Sequence, residues 1–133
     1  MSIVVDTSMT VAWLFRDERG EAPRTALRHV ITEGATVPTL WRLEVANALR
    51  TAVRRRRCTD DYADQCLRRL SRLRITADAE TDRNAWGMTR SLSRHHNLTL
   101  YDAAYLELAV RLDAVLATMD RAAQEAGLGT IGD

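Results

Sequence analysis

Residues 2–8 read Ser-Ile-Val-Val-Asp-Thr-Ser, a β-branched apolar run that closes on an acid and two small hydroxyls. Such a run forms a short buried strand with Asp6 at its carboxyl end. Residues 114–118, Ala-Val-Leu-Ala-Thr, repeat the design and lead through Met119 to Asp120. Two further short strands are expected at residues 35–37, closed by Pro38, and at 74–76, with a last one at 130–131. Helical spacing fills the intervals at residues 9–15, 23–31, 40–56, 60–73, 79–94, 100–112 and 121–126. Pro23 suits a first turn, Gly34 a stop and Thr59 an N-cap. Residues 16–21 form a charged break and 95–99 a polar loop. The 40–56 helix carries Leu40, Leu43, Ala46, Leu49 and Val53 at helical spacing, and the 100–112 helix reads as strongly amphipathic. Strands alternating with helices specify a parallel sheet covered on both faces. The expected fold class is therefore α/β, with a small, mainly parallel sheet and many helices. The 133 residues suit one domain spanning 1–133.

Bulk properties narrow the function by exclusion. A net charge of +1 implies no general electrostatic hold on nucleic acid. All 19 basic residues are Arg, whose planar fork suits phosphate and carboxylate; a nucleotide bias in the source genome accounts for the same composition. The absence of Lys removes any mechanism that requires one. Cys58 and Cys66 lie about 12 Å apart along a helix, too far for a disulfide, and read as reduced thiols. No charged segment followed by an apolar core opens the chain, and no apolar run reaches membrane-spanning length. A cytoplasmic location is expected.

Four acids then stand out: Asp6, Glu44 in Trp-Arg-Leu-Glu-Val-Ala-Asn, Asp102 in Leu-Tyr-Asp-Ala-Ala-Tyr, and Asp120. Singly, Asp6 and Asp120 read equally well as helix caps, and Asp102 as a first-turn residue favoured by the helix dipole. Glu44 sits among Leu43, Val45 and Ala46, where a carboxylate needs a partner or ligand. Together they argue for more. Residues just after parallel strands converge on one sheet edge, and clustered carboxylates repel unless a cation lies between them. Hard cations such as Mg²⁺ or Mn²⁺ take oxygen ligands. Thr7, Ser8 and Thr118 are placed to orient a carboxylate, and Asn47 lies one helical turn after Glu44.

These four segments, in this order, resemble the PIN domains of the VapC type, the toxin half of a bacterial toxin–antitoxin pair. The resemblance covers essentially the whole chain and implies a three-layer α/β/α fold. It implies a Mg²⁺- or Mn²⁺-dependent endoribonuclease that hydrolyses phosphodiester bonds through an activated water. Asp6 and Asp102 would be the principal metal ligands, with Glu44 and Asp120 completing the acidic site. Ser8, Thr118 and Asn47 would support it. A VapB-type antitoxin and a second copy of the chain are the partners implied, and Trp13, Leu14 and Phe15 are candidates for the antitoxin groove.

Arg54, Arg55, Arg56 and Arg57 form the one basic run. It reads as a solvated helix end or as a contact for RNA phosphates. His29, His95 and His96 read as surface residues. Haloacid-dehalogenase-like phosphatases and response-regulator receivers depend on a lysine, and both are removed. Two alternatives stay open: a PIN-like binding module without activity, and a PIN nuclease outside a toxin–antitoxin pair. No stretch encodes a readable RNA target.

Overall fold

Residues 2–15 and 20–127, and the backbone of 130–131, are described by the computed structural model. The chain runs β1 (Ile3–Val5), α1 (Thr7–Leu14), α2 (Glu21–Glu33), β2 (Ala35–Val37), α3 (Trp41–Arg54) and α4 (Asp60–Ser71). It continues β3 (Ile75–Ala77), α5 (Thr81–Asn84), α6 (Met88–His96), α7 (Leu100–Leu112), β4 (Val115–Ala117), α8 (Arg121–Ala126) and β5 (Thr130–Ile131). The strand order is β3-β2-β1-β4-β5, and every pairing is parallel. Successive strands step outward from β1 to β3, and the chain then returns to place β4 on the other side of β1. Right-handed crossovers in opposite directions set their helices on opposite faces. Accordingly α1 packs on α2 and α3, and α3 on α4, while α5 and α6 pack on α7 against β1 and β4. The result is the three-layer α/β/α architecture.

The strands are short: β1 is a buried three-residue run ended by Asp6 and β2 one bounded by Gly34 and Pro38, while β3 is largely exposed. Ile3, Val4, Val5, Val37 and Leu116 are essentially inaccessible. Among the described residues, no helix is long and apolar enough to cross a membrane. Cys58 and Cys66 are both free thiols. Residues 16–19 of the expected charged break lie outside the described residues.

Three expectations need correction. The 79–94 helix is two helices, α5 and α6, separated at residues 85–87. Gly87 costs about 1 kcal/mol in a helix interior and here serves instead as the N-cap of α6. On α3 the buried positions are Trp41, Val45, Leu49 and Ala52, so the core stripe is rotated and Leu43 is 77% exposed. The Trp41 indole decides this orientation, since it reaches inward to donate to Thr10 Oγ1 at 3.0 Å. Finally, α7 is not amphipathic. Residues 103–109 are all buried because the helix lies between the sheet and its neighbours α5, α6 and α8. Buried Glu107 is matched by Arg111, which donates to both its carboxylate oxygens at 2.7 and 3.0 Å. Arg111 also donates to Asp78 Oδ2 at 2.7 Å and so fastens the end of β3 to α7.

Gly34 ends α2 with φ at +79°, and a Cβ there would lie 2.7 Å from the Arg74 carbonyl oxygen. That oxygen accepts the Ala35 N–H at 2.9 Å, so the backbone cannot retreat without breaking the β2–β3 edge. Gly34→Ala is expected to lower the unfolding free energy by about 2 kcal/mol, read as a shifted urea midpoint; an unchanged midpoint would contradict this placement.

Candidate active site

Strand register builds the first half of the site. Val5 pairs with Ala117, and the Asp6 N–H donates to the Ala117 carbonyl at 3.1 Å. Asp6 and Thr118 therefore leave the sheet side by side. Thr118 donates a short hydrogen bond to Asp6 Oδ2. Ser8 Oγ donates to Asp6 Oδ1 at 2.7 Å, and the Met9 N–H donates to the same oxygen at 2.9 Å. Ser8 Oγ in turn accepts the Met119 N–H at 2.9 Å, and Thr118 Oγ1 accepts the Asp120 N–H at 3.0 Å. These bonds lock the ends of β1 and β4 together. Asp6 caps α1, and Asp120 caps α8 by accepting the Ala123 N–H at 3.1 Å. The β1/β4 junction is also where strand order reverses, the place at which open parallel sheets receive ligands.

Helices bring in the other half. Thr99 caps α7 by accepting the Asp102 N–H at 3.1 Å, which places Asp102 in the first turn. Glu44 occupies the first turn of α3. Its Oε1 accepts from Tyr105 Oη at 2.5 Å and from Thr7 Oγ1 at 2.9 Å. Tyr105 therefore belongs to the site, although its residue type alone suggests core. The signal for it lay in its spacing, three residues after Asp102 and hence on the same helix face.

The four acids share one field. Burial pushes the Asp6 carboxyl up to about 6, outweighing its bonds from Thr118, Met9 and Ser8, with a further upward contribution from Asp102. Asp102 is raised by burial, then by the charges of Asp120 and Glu44. Tyr105 is held far above the ordinary phenol range, first by burial and then by the Glu44 carboxylate it donates to. Among the described residues no basic side chain pairs with any of the four acids. What partly offsets the repulsion is that all four lie at helix N-termini, where backbone dipoles favour negative charge. Even so, among the described residues no three acidic, His or Cys groups are gathered closely enough to hold a metal ion between them. The acids line an electronegative edge and do not form a closed protein cage.

The remaining sequence-based candidates fall elsewhere. Asn47 is exposed and hydrogen-bonds none of the acids. Arg54 ends α3, Arg55 is its C-cap, Arg56 adopts a left-handed conformation, and the Arg57 guanidinium stacks over Phe15 at 4.1 Å. The run thus sits at the end of α3 opposite Glu44. Trp13, Leu14 and Phe15 are largely buried, at 8%, 5% and 7% exposure, and Trp13 lines a small pocket with Pro23, Arg24 and Leu27. The Trp13 indole donates to the Pro23 carbonyl at 3.0 Å, and Phe15 lies between Tyr62 and Arg57. His29 faces Glu33, and His95 packs on His96.

Residues 3–128 match the PIN domain family. The chain belongs to it. Ribonuclease VapC3 of Pyrobaculum aerophilum is 32% identical to this PIN domain over 127 residues, 91% of each chain. Among solved structures, PAE2754 from Pyrobaculum aerophilum superposes with a TM-score of 0.69 at 25% identity, covering 99% of this chain and 90% of that one. VapBC2 from Rickettsia felis, bound to a promoter DNA fragment, superposes with a TM-score of 0.68 at 14% identity, covering 100% and 98%.

Burying the Asp6 charge has a stability consequence. An unfolded aspartate titrates near 3.8, whereas folded Asp6 titrates at about 6. The folded chain therefore loses stability as pH rises from about 4 to about 6, and the penalty stays constant above that range. The difference is worth about 3 kcal/mol. With divalent ions chelated, Asp6→Asn is expected to raise the melting temperature at pH 7.5, and the gain should vanish below pH 4. A variant no more stable than the parent at pH 7.5 would contradict the burial account.

Proposed function

We propose that this PIN domain is a metal-dependent endoribonuclease, the toxin component of a VapBC-type toxin–antitoxin pair. The observation that carries the reading is the shared field of the four acids, with the Asp102 charge felt at Asp6 and those of Asp120 and Glu44 at Asp102, and no basic partner for them among the described residues. A curated relative named as a ribonuclease supports it. The donor set is all hard carboxylate oxygen, which suits Mg²⁺ or Mn²⁺ and not a soft metal. An open acidic edge fits too, because Mg²⁺ keeps several waters and binds through one or two carboxylates. Asp6 and Asp102 would hold the ion, with Glu44 and Asp120 completing the shell directly or through water. When bound, such an ion supplies Lewis-acid polarisation of a phosphoryl oxygen and lowers the pKa of water.

The chain's own groups prepare that chemistry. Ser8, Thr118 and the Met9 N–H fix both oxygens of Asp6, so the carboxylate cannot swing away. The N-termini of α1, α3, α7 and α8 face the same edge and stabilise negative charge there, the charge of an incoming phosphodiester included. Asn47, exposed one turn after Glu44, stands on the rim as a supporting polar group. Arg54 to Arg57 lie about 15 Å along α3 from Glu44, so RNA contacts there would be made with nucleotides away from the cleaved bond.

The partners we assign are RNA as substrate and a VapB-type antitoxin as inhibitor, in the cytoplasm. We also assign a homodimer. Leu43, Trp86, Met88, Leu100 and Tyr101 are 77%, 91%, 54%, 42% and 64% exposed. Leu43, Leu100 and Tyr101 line one groove with Leu40, Ala85 and Ala104, an apolar face that a second copy would cover.

Purified protein is expected to cut RNA with Mg²⁺ or Mn²⁺, stop on chelation, and lose activity by on the order of 100-fold or more in Asp6→Asn or Asp102→Asn. Equal cleavage by both variants would sink the assignment. Leu43→Glu is expected to turn the dimer into a monomer by light scattering; a parent chain that is already monomeric would remove the dimer.

A further inference from the structure

The hydroxyl of Tyr105 has no role in the reading above, yet its placement is unusual for a core tyrosine. The ring is 2% exposed and packed within α7, so it cannot turn. Its hydroxyl does not reach solvent or a backbone carbonyl. It donates to Glu44 Oε1 at 2.5 Å, and Thr7 Oγ1 lies within 3.0 Å of it and 2.9 Å of the same carboxylate oxygen. Three elements, α1, α3 and α7, therefore meet on one oxygen of one glutamate.

We propose that Tyr105 is a positioning residue, assisted by Thr7, that pins the Glu44 carboxylate so that its second oxygen is presented to the divalent-cation site. Glutamate has three side-chain torsions, and a half-exposed one at a helix start ordinarily samples many rotamers. A rigid phenol and a threonine on the first turn of α1 remove that freedom at Oε1. Both available hydroxyl protons are used on that side, which leaves Oε2 as the oxygen free to face the ion or its water shell. The device also explains how a carboxylate borne on α3, off the sheet edge, keeps register with Asp6 and Asp102. Outer-shell partners of this kind typically change metal affinity or activity by 10–100-fold when removed.

The inference rests on the metal-nuclease reading, and its test separates the two. Tyr105→Phe keeps the ring and deletes only the hydroxyl. Mn²⁺ binding to the RNA-free chain, measured by calorimetry, is expected to weaken by about 10-fold in Tyr105→Phe. Thr7→Val should give a smaller loss in the same direction. In a Glu44→Gln background the Tyr105→Phe change should have no further effect, because a residue acting through Glu44 has nothing left to act on. Wild-type affinity in Tyr105→Phe, or an equal loss in both backgrounds, overturns the positioning role while leaving the nuclease intact. A parent chain that neither binds Mn²⁺ nor cuts RNA overturns the nuclease reading, and this inference with it.

Discussion

Val5 lies against Ala117 in parallel register, and through that contact two acids nearly the whole chain apart are delivered to one edge. Asp6 and Thr118 follow their strands directly, so the register of a three-residue ladder sets the geometry of the site. A slip of one residue would turn Asp6 to the opposite face of the sheet. The hydroxyls of Ser8 and Thr118 fasten this junction, each bonded to Asp6 and each also accepting an N–H of the β4–α8 turn. Around it the chain reverses its direction of travel across the sheet, and the two helical layers follow from that reversal.

The site is held at an electrostatic cost that the fold partly offsets. Burial and mutual repulsion disfavour the ionised acids, while helix N-termini favour them. Capping and function are not competing explanations here. Asp6 and Asp120 each accept the N–H three residues on and still keep carboxylate oxygen on the shared edge. Arg111, the most heavily engaged cation among the described residues, is committed elsewhere to Glu107, Asp78 and Glu80.

Much of this was legible in the residues. The strand-to-acid runs at residues 2–6 and 114–120, the stop at Gly34, the cap at Thr59 and the bounds of α7 and α8 follow from local chemistry. The four acids and the hydroxyls of Ser8 and Thr118 could be named from their places after strands or at helix starts. What failed depended on tertiary packing. Leu43 and Leu40 have helical spacing, but the Trp41 hydrogen bond to Thr10 turns α3 so that Leu43 faces outward. The apolar character of α7 reads as one buried stripe, whereas contact with the sheet and three helices buries nearly all of it. Local chemistry does not tell whether Trp13 and Phe15 face the core or a partner; in the fold both are largely buried. Tyr105 was passed over because a tyrosine in an apolar helix says nothing of where its hydroxyl ends.

The proposed chemistry requires the β1/β4 edge to hold a divalent cation. Anomalous diffraction from crystals soaked in Mn²⁺ tests it most directly. A Mn²⁺ peak is expected within coordinating distance of the Asp6 and Asp102 carboxylates, with Glu44 and Asp120 reaching it directly or through water. A crystal with full Mn²⁺ access and no peak at that edge, or with its only peak elsewhere on the chain, would contradict it.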